Sequence, residues 1–300
     1  MIHIAYHESY RHHLPDNHKF PMKKYSELAK RLVEQNIFAE SNFFIPHLLN
    51  EDILSFTHSI DYLIRAKTLS LDKSEARRLG FPQSRELYER ELRITQGTLE
   101  GAELALKNVL SFNIAGGTHH AFTNKGEGFC MFNDVAVSAN YLLNRNLIQQ
   151  VLVIDLDVHQ GNGTAEIFEK NSNVFTFSVH GKNNYPLKKE KSDLDIELED
   201  LTNDDLYLEI IDKYTSRLVT EVEPDIVYYI AGADILESDK FGRLSVTVEG
   251  AKTRDEIVFS NCKRNNIPVM CVMGGGYSKD LEVIIETHLN TFKVGKEYYG

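Results

Sequence analysis

Six short runs along the chain are apolar nearly throughout: IHIAY (2–6), FNIAGG (112–117), VLVIDL (151–156), VFTFSV (174–179), DIVYYIAG (225–232) and VMCVMGG (269–275). A strand with one wet face alternates apolar and polar residues, whereas a strand covered on both faces does not. Between these runs, apolar residues recur every three or four positions, which predicts helices over 22–36, 85–110, 134–144, 204–222, 248–266 and 279–291. Strand and helix therefore alternate. The predicted fold class is α/β, with a mostly parallel central sheet and helices on both faces. No Pro-rich or Gly/Ser-rich linker and no internal repeat divides the chain, so a single domain over 1–300 is expected. The segment 187–205, dense in charge of both signs, reads as a solvated loop leading into a helix.

Charge narrows the range of partners. The chain carries 33 Lys and Arg against 44 Asp and Glu, a net charge of −11. That balance argues against direct nucleic-acid binding and against anionic membrane surfaces, and it suits a cationic or neutral substrate. The three cysteines, Cys130, Cys262 and Cys271, are odd in number and far apart, which is not a disulfide framework. The N-terminus lacks a signal-peptide core and no run approaches membrane-spanning length, so a cytoplasmic protein without membrane insertion is expected.

The unusual polar residues fall where the predicted strands end, which is where open parallel sheets bind ligands. VLVIDL continues into DVHQGNGT; on an extended strand Asp155, Asp157 and His159 would share a face, and two carboxylates beside an imidazole call for a compensating cation. FNIAGG runs into Thr118-His119-His120, DIVYYIAG into Asp234, and VMCVMGG into Gly276-Tyr277. Asp157, His159 and Asp234 match the three-ligand count of a catalytic zinc site, although a helix cap and a turn would explain each aspartate alone. Asp155 could hold one histidine of the doublet charged, while Asn162 could bond the other without a carboxylate's charge. Beside a metal, the Tyr277 hydroxyl is a candidate donor to an oxyanion. The GEGFC turn at 126–130 reads as a pocket wall, and Cys130 has no activating partner in sequence. His7, His12, His13 and His18 lack compact ligand spacing and read as loop histidines.

Taken together, GGTHHA, GEGFCMFND, DLDVHQGNGT, the Asp of AGAD, and GGGY, in this order, resemble the zinc-dependent histone deacetylases and their bacterial relatives over essentially the whole chain. The resemblance implies the arginase/deacetylase fold and a metal-dependent hydrolase of linear amides. It implies removal of acetyl or longer acyl groups from lysine side chains in peptides or proteins. Alternatives are hydrolysis of small acylated amines such as acetylpolyamines and, ranked lower, a non-catalytic acyl-lysine binding module.

By the same resemblance Asp157, His159 and Asp234 hold Zn2+ (or Fe2+). His119 and His120 are the tandem histidines backed by Asp155 and Asn162, and Tyr277 polarises the scissile carbonyl. Gly128, Phe129, Tyr185 and Gly275 border the substrate, with Phe129 and Tyr185 as the tunnel walls. Asp155, Asp157, His159, Ser178 and Val179 match the positions of a structural K+ or Na+. Asn162 and Tyr185 depart from the class I pattern, and the segments ADILESDKFGRL and HKFPMKKY look most like class IV members. Acyl length, oligomeric state and physiological substrate do not follow from these motifs.

Overall fold

The apolar runs form the middle of an eight-stranded sheet in which every pairing is parallel. The computed structural model describes residues 1–300. Its strands are β1 (His3–Ala5), β2 (Phe43–Phe44), β3 (Leu110–Asn113), β4 (Val151–Asp155), β5 (Val174–Gly181), β6 (Leu194–Leu198), β7 (Ile226–Ile230) and β8 (Val269–Val272), in the spatial order β2-β1-β3-β8-β7-β4-β5-β6. The helices are α1 (Lys23–Glu34), α2 (Ile60–Lys67), α3 (Lys73–Leu79), α4 (Arg85–Asn108), α5 (Asp134–Asn144), α6 (Asn162–Phe168), α7 (Asp204–Val222), α8 (Val248–Arg264) and α9 (Leu281–Tyr299).

Alternation on the central strands explains why they are apolar throughout. Val151 and Val153 of β4 pack with Ala102 and Ala105 of α4 and with Val135, Ala136 and Ala139 of α5, whereas Leu152 and Ile154 belong to a core with α7, α8 and α9. Successive side chains face opposite helical layers, so each needs to be apolar. Small residues on α4 let it lie close to the sheet; at roughly 25 cal/mol per Å2 of buried apolar surface, these two layers dominate the folding free energy.

The elements differ from the sequence pattern at the margins. β3 begins at Leu110 and ends at Asn113, so the glycines of FNIAGG lie beyond the strand. β2 is two residues long, and α2, α3 and α6 have eight residues or fewer, too short to establish a period. α9 continues to Tyr299, and Asp280 caps its start. The segment 187–205 corrects the loop reading. It contains β6, a half-exposed edge strand on β5, whose outer charges are what an unpaired sheet edge carries.

Candidate active site

Four loops leave the carboxyl ends of β3, β4, β7 and β8 and meet over the sheet. The loop after β3 is held by buried polar groups. Asp134, the first residue of α5, accepts from the amides of Gly117 (3.2 Å) and Thr118 (2.8 Å). His58 bridges the loop from the other side, with Nδ1 2.9 Å from the Phe122 carbonyl and Nε2 accepting from the Asn133 amide at 3.1 Å. Thus pinned, the loop delivers His119 and His120, whose rings lie 4.1 Å apart.

The expectation of a shared strand face for Asp155, Asp157 and His159 is corrected. β4 stops at Asp155, whose Oδ1 accepts from the Asp157 amide at 3.1 Å, and the chain then turns. Asp157 and His159 reach the same small volume by this turn. Asp157 does not cap α6, because Gly161 holds the N-cap position without a side-chain bond. His159 Nδ1 lies 3.0 Å from Asp157 Oδ1 and 3.2 Å from Asp234 Oδ2. All three residues are buried, and their ligand atoms lie within 4.8 Å of one another.

The remaining carboxylate oxygens are occupied. Asp157 Oδ2 accepts from the Gly275 amide at 2.7 Å, and Asp234 Oδ1 from the Val158 amide at 3.0 Å. Gly275 is required there, since a Cβ would collide with the carboxylates of Asp234 and Asp157.

The electrostatics are those of a cation site. Burial opposes ionisation of Asp157, yet His119 and His159 hold its carboxylate ionised, well below the usual range. Burial and the neighbouring Asp157 push Asp234 up to about 7. Burial also disfavours a charged His159, but hydrogen bonds to the two aspartates raise it to about 10. Buried acids so close together need positive charge between them, and the three converging donors fit a divalent metal with a position left for substrate.

The two tandem histidines differ in partner and therefore in charge. His119 Nδ1 lies 2.7 Å from Asp155 Oδ2, and although burial lowers its basicity, Asp155 and Asp157 raise it to about 9. His120 Nδ1 lies 2.6 Å from Asn162 Oδ1; burial and the neighbouring charges of His119 and His159 push it well below its ordinary value. With the Asn162 carbonyl as acceptor, Nδ1 carries the proton of the neutral ring and Nε2 keeps a free lone pair. The expected Asp155–His119 and Asn162–His120 pairs are those the fold assembles.

Tyr277 stands on the β8 loop, its amide donating to Asp239 Oδ2 at 2.6 Å. Burial, with Asp234 and Asp157 nearby, keeps its phenol protonated. Its ring sits 6.0 Å from Phe129 and 6.5 Å from His159. Phe129, in the left-handed region at φ +69°, is fixed by its amide donating to the Leu79 carbonyl at 2.8 Å. Gly128 before it has no room for a Cβ, which would press on the His120 ring at 2.6 Å. Tyr185 lies 5.2 Å from His120, 40% exposed, and with Phe129, Tyr277 and His159 it lines one cleft of about 940 Å3. Asp155 and Ser178 are register partners across β4 and β5, with Val179 following. Cys130 is buried, and burial pushes its thiol well up, as suits a wall rather than a nucleophile.

Three participants were not legible as such. Glu127, from the GEGFC turn, accepts from Tyr185 Oη and Lys125 (2.9 Å) and lies 3.5 Å from Asn162 Nδ2, extending the His120–Asn162 pair to the mouth. Lys24 is buried with Nζ 3.2 Å from the Gly274 carbonyl; burial lowers it to about 8 despite Asp234 and Asp157. Arg90, on α4, is buried with Nε donating to the Tyr10 carbonyl at 2.7 Å, and it borders a cavity below His119 and His120. For Lys24 and Arg90 the only sequence signal was charge on inward helix positions, and for Glu127 a lone carboxylate in a glycine turn. The N-terminal histidines stay out of the site; His18 bonds the Gly80 carbonyl at 2.8 Å, and His7 caps its own turn.

The histone deacetylase domain matches residues 18–292. The chain belongs to the histone deacetylase family. It is 31% identical over 278 residues to Histone deacetylase 2 of Arabidopsis thaliana, covering 89% of this chain and 72% of that protein. An uncharacterized protein of Picosynechococcus is 38% identical over 296 residues, 99% of each chain. A histone deacetylase homolog from Aquifex aeolicus has the same fold, at a TM-score of 0.82 with 21% identity, covering 98% of this chain and 84% of that one. Histone deacetylase family members are hydrolytic deacetylases acting on amides, and this chain is an amide hydrolase of that kind with a candidate metal centre. No helix is long and apolar enough to cross a membrane.

Proposed function

We propose that the chain is one catalytic domain that removes acyl groups from lysine side chains of peptides or proteins, using Zn2+ held by Asp157, His159 and Asp234. What carries the reading is the meeting of that metal group with a neutral His120 and a protonated Tyr277 at the floor of one cleft. When bound, the metal polarises the amide carbonyl and acidifies the attacking water.

The side chains divide the remaining work. His120 Nε2 takes a proton from water as it attacks, then returns it to the departing lysine amine. His119, held charged by Asp155, supplies fixed positive charge and does not need to move a proton. Tyr277 donates to the oxygen of the tetrahedral intermediate. Phe129, Tyr185, Gly128 and Gly275 bound the substrate, and Asp155, Asp157, His159, Ser178 and Val179 hold a structural K+ or Na+.

The wide cleft supports a lysine presented by a polypeptide over a slender polyamine. The cavity below the histidines, about 40 Å3, is bounded by Arg90, Thr118 and glycine backbones and by Phe20, Tyr25, Ile94, Phe129 and Cys130. A cavity that small accommodates the methyl of an acetyl group and not a fatty chain, so acetyl is the preferred acyl group. A class IV-like assignment and a cytoplasmic location belong to the same proposal.

The test is hydrolysis of a matched lysine-peptide series carrying acetyl, octanoyl and myristoyl groups by the zinc-loaded protein, with a hydroxamate-inhibited control. Inhibitable turnover, fastest for acetyl, is expected. No turnover of any member with zinc bound and the fold intact would overturn the assignment.

A further inference from the structure

The chain as a whole is acidic, yet the walls of the catalytic cleft are basic. Around the mouth stand Arg77, Arg78, Lys240 and Arg243, against a single carboxylate, Glu127. Glu127 is already engaged by Lys125 and Tyr185 Oη, and Arg243 pairs with Asp200 at 3.2 Å. Arg77 and Lys240 have no side-chain partner, and Arg78 bonds only the Ser74 hydroxyl at 3.1 Å. An adjoining cleft, sharing Lys240, adds Arg11, Lys19, Lys23 and Lys279 against one acid, Asp16. The two clefts together hold eight Lys and Arg to two carboxylates, in a chain where 44 acids outnumber 33 Lys and Arg.

These cations are placed by the catalytic machinery. The carbonyls of Arg78 and Leu79 accept from the amides of Gly128 (2.9 Å) and Phe129 (2.8 Å), which ties α3's end to one wall of the site. On the opposite side Asp239 accepts from the amides of Phe241 (2.8 Å), Gly242 (3.0 Å) and Tyr277 (2.6 Å), so one carboxylate sets both the catalytic tyrosine loop and the turn between Lys240 and Arg243. The backbone segments that carry these charges thus flank the mouth from two sides in fixed places, with the side chains exposed above them. A cleft of one sign with low-dielectric walls focuses its potential on what enters. The Debye length in physiological salt is about 8 Å, the scale of such a mouth. Net charge, which suits a cationic substrate, is overridden locally.

We propose that the cleft selects acyl-lysine side chains flanked along their own chain by Asp and Glu. The inference rests on the deacylase reading and adds its substrate class. The acyl-lysine enters between Phe129 and Tyr185, while neighbouring carboxylates meet Arg77 and Arg78 on one side and Lys240 and Arg243 on the other. A polyamine, positive along its length, is repelled by the same groups.

The experiment uses the zinc-loaded protein and three acetyl-lysine peptides identical except for Asp, Ser or Lys on both flanks. The expected result is a preference of about tenfold in kcat/KM for the Asp over the Lys peptide at low ionic strength, carried mainly by KM and shrinking severalfold at about 0.5 M salt. The double variant Arg77→Glu/Lys240→Glu, which removes no hydrogen bond, should abolish or invert the preference. Equal kcat/KM for all three peptides, a Lys preference, or a preference indifferent both to salt and to the double variant overturns the inference while leaving the deacylase reading intact. Failure to hydrolyse even the Ser peptide removes that reading and this one with it.

Discussion

Two adjacent imidazoles 4.1 Å apart end in opposite protonation states because one faces Asp155 and the other Asn162. A carboxylate raises the first; an amide cannot offset burial and a charged neighbour for the second. His120 is thereby left with a lone pair at Nε2, while Glu127, one hydrogen bond further out, supplies negative charge behind Asn162. In the proposed reaction Tyr277 is the complementary donor, its phenol held protonated by burial and the nearby Asp234 and Asp157. Tyr277→Phe should lower kcat by about 100-fold or more, the usual effect of losing one oxyanion donor, with metal content unchanged. Steady-state kinetics beside metal analysis checks this, and near-native turnover would remove Tyr277 from the mechanism.

At the scale of elements, the site depends on how loops are fastened to the sheet. His58, buried before α2, joins the Phe122 carbonyl to the Asn133 amide at the start of α5, and burial holds it down at about 4. Its unfolded value is near 6.5, so between those limits the unfolded chain binds a proton that the folded chain refuses. Stability rises with pH through that window; the His58 contribution is whole above pH 6.5 and is lost as pH falls through 4. Between pH 7 and pH 4.5 it amounts to about 2.5 kcal/mol. Urea unfolding at those two pH values should show a smaller acid loss in His58→Gln than in the native chain, by about that amount. Equal losses would mean that His58 is not a buried neutral link. Glycine acts at the same scale: Gly275 lets the β8 loop bring its amide to Asp157, closing the metal group from behind.

At the scale of the molecule, Asp157 and His159 come from the loop after β4 and Asp234 from the loop after β7, strands that are neighbours in the sheet although more than 70 residues apart in sequence. Metal binding therefore reports on the global fold. Zinc at about 100 times its dissociation constant should add roughly 2.7 kcal/mol to the unfolding free energy, raising Tm by about 5 °C over chelator-treated protein. A thermal scan showing no shift would contradict a preformed site.

The sequence by itself determined the layer order and the strand-end chemistry. Unbroken apolar runs that alternate with helical periods fit strands buried on both sides, and histidines and aspartates gathered at the ends of several such strands fit ligation and proton transfer better than caps and turns taken one by one. It could not determine that β4 stops at Asp155, that β6 lies within a charged stretch, or that Arg77, Lys240 and Arg90 face the site. Those depend on where a turn falls and on which residues, distant along the chain, share a wall. Burial, hydrogen bonding and field are properties of neighbours in space, and only the tertiary structure supplies the neighbours.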